Sequence, residues 1–425
     1  MTAAAFAAVL LLALLGAPLY AVILAAALTG FLLADIPLTI VAVELYRIAD
    51  TPLLLSLPLF AYAGYVLAEG RSSERLLGVT QALVGSLPGG LGLVAFVACA
   101  LFTAFTGASG VTIVALGALL HPALLRGGYG ERFSLGLVTS AGSLGLLLVP
   151  SVPLILYGVL AQQLELGEPF TLRQLFLAGL LPALLMLVLL SLYTLWHLRG
   201  RGQTLTPFSL GGLGRALHAA RWELPLPLVV LGGIYGGFFA VSEAAAVTAL
   251  YVTVSQVFLY REIRLSRLPG VMVDAMVMVG GILLILAAAL AFTNVLVDAR
   301  VPQRLFGFAS GWIESRLAFL LLLNVTLLVL GAILDVFAAL VIMVPLLLPV
   351  AVEYGIHPVH FGIVFLANLQ IGYFTPPIGM NLFIASYRFG RSVTELYRAS
   401  LPFMLVLLVA LAIITYVPWL SLGLL

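Results

Sequence analysis

Long runs of apolar residues, separated by short polar segments, dominate the chain. Runs with at most one charged residue cover positions 3–34, 85–125, 133–164, 175–196, 224–242, 271–297, 317–334, 336–352, 361–387 and 399–425. A bilayer core about 30 Å thick is crossed by roughly 20 apolar residues in an α-helix, and several runs are long enough for two passes or a hairpin. The pattern predicts an all-α polytopic membrane protein with about ten to twelve membrane-embedded segments, including re-entrant ones.

The composition supports a lipid environment. Hydrophobic residues make up 63% of the 425 residues and charged residues 8%, whereas a soluble domain carries about 25% charged residues. All 19 basic residues are arginines, and most lie in short polar loops near positions 71, 126, 199, 221, 264 and 391. Short basic loops stay on the cytoplasmic side of a membrane. We therefore interpret the arginines as topology anchors and expect no contact with nucleic acid.

The sequence gives little support for catalysis. The one cysteine, Cys99, lies in an apolar run, and His357 and His360 flank Pro358 in an expected loop. Neither feature offers a metal or redox site, and we find no paired carboxylates, nucleotide-binding glycine loop or nucleophile elbow. We expect a protein that is not an enzyme and carries no cofactor. The first residues lack a basic region and a cleavage site, so we interpret them as a retained first span.

Two segments of the chain, 106–158 and 331–386, share the positions of their prolines and glycines. In the first segment, Pro122 lies 28 positions before Pro150 and Gly128 lies 22 positions before it. In the second segment, Pro349 and Gly355 lie 28 and 22 positions before Pro377. Because the agreement involves two residue types on similar apolar backgrounds, it predicts an internal duplication rather than a coincidence.

Each segment combines a hairpin with an interrupted helix. Two apolar arms flank a polar or glycine break at positions 106–110 in the first segment and 331–335 in the second. The next apolar run is interrupted at positions 142–153 and 372–379 by small polar residues and prolines. Proline removes a helical hydrogen bond, glycine weakens a helix, and in lipid the freed backbone groups need other partners. Such paired breaks indicate a transporter's binding site near the membrane midplane.

These features divide the chain into five parts. We expect scaffold helices in 1–84, the first hairpin and broken helix in 85–165, further scaffold helices in 166–315, the second hairpin and broken helix in 316–390, and a C-terminal helix in 391–425. The most polar stretch, 198–223, is predicted to be a cytoplasmic loop with an amphipathic helix over 215–223 on the membrane surface. We also expect a helix that begins near Glu243, with Ser242 as its N-cap.

The breaks of the first segment form a candidate sodium site. Hydroxyl groups and the carbonyls released at a break are hard oxygen ligands, and the carboxyl ends of half-helices add a negative dipole. Small residues of this kind also pack helices closely, but their position beside two prolines favours ion binding. The candidate residues of this site are Gly107, Ser109, Gly142, Gly145 and Pro150.

The breaks of the second segment contain a carboxylate, Asp335, between long apolar runs. A carboxylate is costly inside a membrane and therefore marks a functional position by default. Asp335 could sense a cation or carry a proton, and it could instead form an ion pair or cap the hairpin tip. The candidates for a second sodium site are Gly331, Asp335, Gly372, Thr375 and Pro376. The candidate solute contacts are Ser109, Ser151, Asn368, Pro377 and Asn381.

Five stretches are similar to one known family: SLPLFAYAGYVLAEG, SLPGGLG, GASGVT, SEAAAVTALY and HPVHFGIVFLANLQIGYFTPPIGMNLFIAS. The sequence resembles the large membrane (M, DctM-like) subunit of the tripartite ATP-independent periplasmic (TRAP) transporters over nearly its whole length. The last stretch is the most specific. The first hairpin reads Thr106-Gly107-Ala108-Ser109 where the family tends to have Ser-Gly-Ser, so Ala108 can contribute only its backbone.

The resemblance implies an elevator-type ion-transporter fold, in which both hairpins and broken helices slide as a transport domain against a scaffold. It implies sodium as the coupling ion at both breaks and a small, carboxylate-like organic anion as the solute. It also implies two protein partners, a periplasmic substrate-binding (P) protein that delivers the solute and a separate small membrane (Q) subunit. The implied location is the inner membrane of a bacterial or archaeal cell.

Other interpretations stay open on the residues alone. A transporter that acts by itself, coupled to sodium or protons, fits the same breaks, and capture of a small membrane protein with this chain separates the two. A membrane enzyme requires a catalytic cluster at membrane depth, which the sequence lacks. A passive channel fits broken helices, but channels usually assemble repeats around an axis, whereas two unlike halves suit alternating access.

Overall fold

The computed structural model describes residues 2–49, 52–199, 207–311, 313 and 315–425, and every regular element in these ranges is a helix. Within them, eight helical stretches are long and apolar enough to cross a membrane, and four shorter apolar helices accompany them. The predicted all-α polytopic fold is confirmed, and these stretches together match the upper end of the expected number of embedded segments.

Five helices precede the first hairpin: α1 (Thr2–Leu14), α2 (Leu19–Leu33), α3 (Thr39–Ala49), α4 (Ser56–Glu69) and α5 (Ser72–Val84). Helix α4 approaches the tip of the first hairpin closely, as shown by Gly64, where a Cβ would lie 2.4 Å from the carbonyl oxygen of Phe105. Helix α5 is less apolar and leads directly into the hairpin. The first helices therefore both support the hairpin and connect to it.

The first hairpin and broken helix form four helices: α6 (Gly90–Thr106), α7 (Ser109–Arg126), α8 (Glu131–Ala141) and α9 (Val152–Gln163). A single 3₁₀ turn at Leu144–Leu147 lies between α8 and α9. The predicted hairpin and the predicted interruption are therefore both present in the first segment.

Six helices connect the two halves: α10 (Leu172–His197), α11 (Leu210–Ala219), α12 (Pro225–Tyr235), α13 (Val241–Thr253), α14 (Leu268–Asp298) and α15 (Val301–Ser310). Helix α10 begins with a capping box, in which the Thr171 hydroxyl accepts from the Gln174 N–H at 3.2 Å and the Gln174 side chain accepts from the Thr171 N–H at 2.8 Å. Helix α13 continues into a π-helix at Val254–Leu259.

The second hairpin and broken helix repeat the arrangement of the first: α16 (Arg316–Ile333), α17 (Val336–Glu353), α18 (Pro358–Gly372) and α19 (Met380–Phe389). The chain ends with α20 (Val393–Tyr416) and the short α21 (Trp419–Leu422).

The internal duplication extends to tertiary contacts. The offset of 227 positions that relates Pro122 to Pro349 also relates Gly145 to Gly372 and Ala104 to Gly331. A Cβ at Gly145 would lie 2.5 Å from the backbone nitrogen of Ala104, and a Cβ at Gly372 would lie 2.7 Å from the Cα of Gly331. In each half, a glycine of the broken helix therefore packs against the equivalent residue of the first hairpin arm. The predicted repeat is confirmed.

The broken helices occupy the centre of the molecule. All fifteen residues of α18 are buried, and 94% of an apolar 18-residue window within the stretch from α8 to α9 is buried. Helices farther out expose large apolar side chains, such as Leu184 on α10, Val277 on α14, Leu321 on α16 and Leu405 on α20. Because the freed backbone groups lie at the centre, protein shields them from lipid.

Several arginine-bearing loops lie at one end of the helices, which we call the arginine-rich end. The Arg132 side chain donates to the carbonyl oxygen of Arg398 at 2.9 Å, and Arg391 forms an ion pair with Glu131. Phe133 stacks on His197 with ring centroids 4.4 Å apart. These contacts bring together the start of α8, the end of α10 and the start of α20.

A partly buried charge network fixes the start of α5 near this end. Arg75 forms 2.5 Å ion pairs with Glu223 and Glu262, and the Tyr260 hydroxyl donates to Glu223 at 2.6 Å. Burial acts to raise the pKa of the Glu262 carboxyl, but hydrogen bonds from Arg75 and from the Arg71 N–H outweigh burial and lower it. The network joins α5 to the segments that follow α11 and α13.

Two local predictions were wrong in their boundaries. The amphipathic helix expected at 215–223 is α11, Leu210–Ala219, because the Ser209 hydroxyl accepts from the Gly212 N–H at 3.2 Å and starts the helix earlier. Positions 200–206 of the predicted loop lie outside the described residues. Helix α13 begins after Ala240 rather than Ser242, and the Glu243 carboxylate accepts from the Ala240 N–H at 2.8 Å. The N-cap residue is therefore Ala240, and the side chain of Glu243 supplies the capping hydrogen bond.

We expect the substitution Gly372→Ala to lower the melting temperature of the purified chain in detergent. The added Cβ would lie 2.6 Å from the carbonyl carbon of Gly331, and overpacking of this kind costs about 1–3 kcal/mol. Gly281→Ala in α14 is the matched control, because nothing lies within 4 Å of a Cβ there. Equal melting temperatures for the two variants in a thermal unfolding assay would contradict the close approach of α16 and α18.

Candidate functional site

The tip of the first hairpin is a tight turn. Helix α6 ends at Gly107, whose φ of +66° lies in the left-handed region that favours glycine. Its N–H donates to the carbonyl oxygen of Thr103 at 2.8 Å, and α7 begins two residues later. A Cβ at Gly107 would lie 2.9 Å from Cγ2 of Val152. The start of α9 therefore lies against the hairpin tip.

The first broken helix passes beside the same tip. The Thr103 hydroxyl donates to the carbonyl oxygen of Gly142 at 2.8 Å and accepts from the Thr112 hydroxyl at 2.6 Å. A Cβ at Gly142 would lie 3.3 Å from the carbonyl oxygen of Ser109. Four of the five candidates for the first sodium site thus gather around this tip, and the fifth follows in the same break: Gly107, Ser109, Gly142, Gly145 and Pro150.

The tip of the second hairpin is capped by Asp335. Its Oδ1 accepts from the N–H of Phe337 at 2.8 Å and from the N–H of Ala338 at 3.2 Å, so Asp335 is the N-cap of α17. A carboxylate at this position also interacts favourably with the helix dipole. The geometry matches the capping alternative considered for Asp335, and both capping bonds use a single carboxylate oxygen.

The second broken helix is tied to the second hairpin through its backbone. The Gly379 N–H donates to the carbonyl oxygen of Ala332 at 2.9 Å, and the Val336 N–H donates to the Tyr373 hydroxyl at 2.8 Å. The Thr375 hydroxyl donates back to Ile371 at 2.8 Å. The five candidates for the second site lie at or directly beside these contacts: Thr375 takes part in one, Gly331, Asp335 and Gly372 each precede a residue that takes part, and Pro376 follows Thr375.

The two breaks differ in their exposure. Residues 142–151 are buried except for Leu148, whereas Pro376, Pro377 and Ile378 are exposed. The carbonyl oxygen of Pro377 accepts a hydrogen bond from the Tyr397 hydroxyl of α20. The second break therefore lies partly at the surface of the protein, while the first break lies in its interior.

The two halves of the molecule meet at these breaks. The Ser109 hydroxyl, at the start of α7, donates to Oδ1 of Asn381, at the start of α19, at 2.7 Å. The Ser143 hydroxyl, in the first break, donates to the carbonyl oxygen of Gln370, near the second, at 2.9 Å. All four residues are buried. Segments more than 200 positions apart in the sequence thus share one buried region.

Some polar atoms in this region have no hydrogen-bond partner among the described residues. They include Nδ2 of Asn381 and Oγ of Ser151, and both residues are completely buried. A buried polar atom without a partner costs about 1–3 kcal/mol, so each such atom requires an explanation. Since Ser151 precedes Val152, which contacts the first tip, both atoms lie beside the meeting point. They are the groups best placed to receive a ligand.

Asn368 lies in a different polar network. Its Nδ2 donates to Oδ1 of Asn324 on α16 at 2.7 Å, and Asn324 donates to the hydroxyl of Thr415 at 3.0 Å. His360 continues the network: its Nε2 lies 3.2 Å from the carbonyl oxygen of Thr415, and its Nδ1 lies 3.0 Å from the hydroxyl oxygen of Ser421. Oδ1 of Asn368 has no hydrogen-bond partner in the part of the chain that the structure describes. The structure therefore brings together Ser109, Ser151 and Asn381. It places Asn368, on α18, in a separate buried network with residues of α16 and α20.

Three helices begin at the meeting point. They are α7 at Ser109, α9 at Val152 and α19 at Met380. The amino end of a helix carries unpaired N–H groups and a positive partial charge, so it attracts anions. None of the described arginines is buried. An anion at this point would be held by helix ends, a hydroxyl and an amide rather than by a basic side chain.

Comparison with known proteins identifies the family. A family model described as the DctM component of the tripartite ATP-independent periplasmic transporters matches residues 6–420. The chain belongs to this DctM family. The resemblance recognised from the sequence motifs is therefore confirmed.

Relatives of this DctM-family chain are transporter permeases. It is 35% identical to the C4-dicarboxylate TRAP transporter large permease protein DctM of Pseudomonas aeruginosa over 404 residues, 94% of this chain and 92% of that one. It is 32% identical to the ectoine/5-hydroxyectoine TRAP transporter large permease protein UehC of Ruegeria pomeroyi over 98% of this chain and 97% of that one. It is 34% identical to the isethionate TRAP transporter permease protein DctMQ of Oleidesulfovibrio alaskensis over 93% of this chain but spans only 61% of that longer protein.

A solved structure shares the fold. The crystal structure of the Alcanivorax borkumensis YdaH transporter superimposes with a TM-score of 0.62 at 18% sequence identity, covering 91% of this chain and 88% of that one. The DctM-family chain therefore shares the fold of this transporter.

Several residues that build the site were not identified from the sequence. Tyr373 and Thr103 hold the breaks to the hairpins, but neither stands at a spacing that marks it out. Asn324 had a detectable signal, because it is an amide within the apolar run of α16, and a polar group at that depth requires a partner. Asn368 was a candidate from the sequence, but only the fold shows that it is the partner of Asn324, because the two residues belong to different helices.

Proposed function

We propose that this chain is the large permease subunit of a sodium-coupled secondary transporter that imports a small organic anion, such as a carboxylate. The observation that carries the proposal is the buried meeting point, where Ser109 bonds Asn381 and the side chains of Asn381 and Ser151 keep polar atoms without partners. A solute held there contacts a hairpin tip and both broken helices. Its binding is thereby linked to the conformation of both halves.

In this proposal sodium binds beside each hairpin tip. At the first tip, the available ligands are the Ser109 hydroxyl and backbone carbonyls of the break, which suit a hard cation. At the second tip, Asp335 adds a carboxylate. Its capping bonds use Oδ1, which leaves Oδ2 for a cation. Both sites lie next to the solute, so a bound cation offsets the charge of an anion.

The anionic solute follows from the chemistry of the meeting point. The amino ends of α7, α9 and α19 attract negative charge, and Nδ2 of Asn381 is a hydrogen-bond donor without an acceptor. Relatives are named for C4-dicarboxylates, for isethionate and for ectoine and 5-hydroxyectoine. The first two are anions and the last two carry a carboxylate. We therefore assign a carboxylate-like organic anion and leave its identity to the partner that delivers it.

Partners and orientation follow the same reasoning. The arginine-rich end is assigned to the cytoplasm by the bias of basic loops, which places the loops with Glu165, Glu168 and Glu353 outside. A periplasmic binding protein would deliver the solute at that outer end, and a separate small membrane subunit would extend the scaffold. The location is the inner membrane of a bacterial or archaeal cell.

Transport by this chain is proposed to follow an elevator mechanism. The moving transport domain consists of segments 85–165 and 316–390. The scaffold consists of segments 1–84 and 166–315, and the C-terminal helix lies in 391–425. The close approach of Gly64 on α4 to Phe105 at the first tip marks a contact between the two parts. A transporter that acts without partners is the second candidate, and uptake without an added binding protein distinguishes it.

We expect solute uptake into proteoliposomes to require an inward sodium gradient and a cognate binding protein. The chain is reconstituted with its small membrane subunit, and radiolabelled organic acids are tested with one candidate binding protein at a time. Replacing external sodium with potassium or choline should reduce uptake to the level of empty vesicles. Undiminished uptake in choline would refute sodium coupling, and full uptake without a binding protein would favour the transporter that acts alone.

We further expect Asp335→Asn and Thr375→Val to reduce uptake by about tenfold or more, because Asp335 caps the second hairpin tip and Thr375 lies at the second break. Arg215→Ala is the control, since Arg215 lies on the exposed surface helix α11. Initial uptake rates are measured at several sodium concentrations, where a sodium-site defect raises the concentration needed for half-maximal rate. Equal losses in all three variants would remove the reason for placing a cation at the second break.

A further inference from the structure

A cleft outside the transport site lies between α5, the start of α6 and the end of α7. Its volume is about 440 Å³, and its lining includes Leu77, Leu91, Leu119 and Ala123 together with Gln81 and Arg126. It is close to the arginine-rich end, because the Gly92 N–H donates to the hydroxyl of Tyr129, in the loop before α8, at 3.0 Å. The cleft therefore lies where the helices leave the apolar layer of the membrane.

The polar side of the cleft favours an anion. The Nε of Arg126 donates to the carbonyl oxygen of Pro122 at 3.3 Å, and its terminal nitrogens have no partner among the described residues. No carboxylate lines the cleft. A guanidinium group binds phosphate oxygens with two parallel hydrogen bonds, and Gln81 adds an amide donor on the opposite wall.

The remaining lining is apolar and favours hydrocarbon. Leu77 of α5, Leu91 of α6 and Leu119 of α7 form three walls beside the arginine. A small inorganic anion would satisfy Arg126 but would leave these side chains against water. An amphiphile with a phosphate head and an acyl chain satisfies both parts of the cleft, and anionic phospholipids of this type attract basic residues at a membrane surface.

Helix α5 is held at its start and open farther along. Arg75 fixes its first turn through Glu223 and Glu262. On the side away from α7, a second cleft of about 260 Å³ separates α5 from α11, and Gln81 lines this cleft too. A molecule in the first cleft would therefore fill the gap between α5 and the first hairpin along the part of α5 that borders both clefts.

We propose that this cleft binds one anionic phospholipid, with its phosphodiester on Arg126 and Gln81 and its acyl chain between Leu77, Leu91 and Leu119. The lipid stabilises the junction between α5 and the first hairpin. This inference does not depend on the identity of the transported solute or of the coupling ion.

The test measures thermal unfolding of the full chain in detergent with added phosphatidylglycerol, phosphatidylcholine or inorganic phosphate. A ligand that binds the folded state raises its melting temperature, so we expect a larger rise with phosphatidylglycerol than with phosphatidylcholine. Arg126→Gln should lose at least half of the phosphatidylglycerol rise. The control Arg264→Gln, at an exposed arginine of the same end that does not line the cleft, should keep it.

A second variant separates a lipid from a free anion. Leu119→Trp fills the apolar part of the cleft and keeps Arg126, so it should also lose the rise, and native mass spectra should show less bound phosphatidylglycerol than in the unsubstituted chain. An undiminished rise in Arg126→Gln would overturn the proposal. An equal rise with inorganic phosphate alone would also overturn it, since the site would then bind an anion without a lipid.

Discussion

Backbone groups that are freed inside a membrane must find partners in the protein, and the rest of this structure depends on that constraint. Four interruptions release such groups, two at hairpin tips and two within broken helices. The protein satisfies them by packing each broken helix against a hairpin, as in the bond from the Gly379 N–H to the carbonyl of Ala332 and the bond from Thr103 to Gly142. Glycines make these approaches possible, because no side chain fits between Gly331 and Gly372.

The same constraint explains why the proposed binding site lies at this place. The bond between Ser109 and Asn381 joins the two halves, and three helices begin beside it, so positive helix ends and unpaired polar atoms share one buried region. None of the described arginines is buried in this region, and the carboxylate of Asp335 caps α17 beside it. The proposed solute and coupling cations would therefore enter or leave without breaking a permanent ion pair. That property suits a transporter better than a rigid structural core.

The fold was largely predictable from sequence because its main determinant, apolar run length, is local. The prolines and glycines also located both breaks, since backbone disruption depends on the residue itself. Pairing was not predictable, because the contact of Ser143 with Gln370 depends on how distant segments pack. Asp335 shows the same limit: its residue type suggested a functional position, and only the geometry revealed the two N–H groups that it caps. The start of α11 was misplaced because the capping hydroxyl of Ser209 outweighs the amphipathic pattern.

A double-mutant cycle at the meeting point tests the central claim most directly. KM for solute uptake is measured for Ser109→Ala, for Asn381→Ala and for the double variant in the same proteoliposomes. If the two side chains form one site, the double variant should be little worse than the poorer single variant, with a coupling free energy of about 1 kcal/mol or more. Additive effects on KM would show that Ser109 and Asn381 act independently, and they would contradict a binding site formed where the two halves meet.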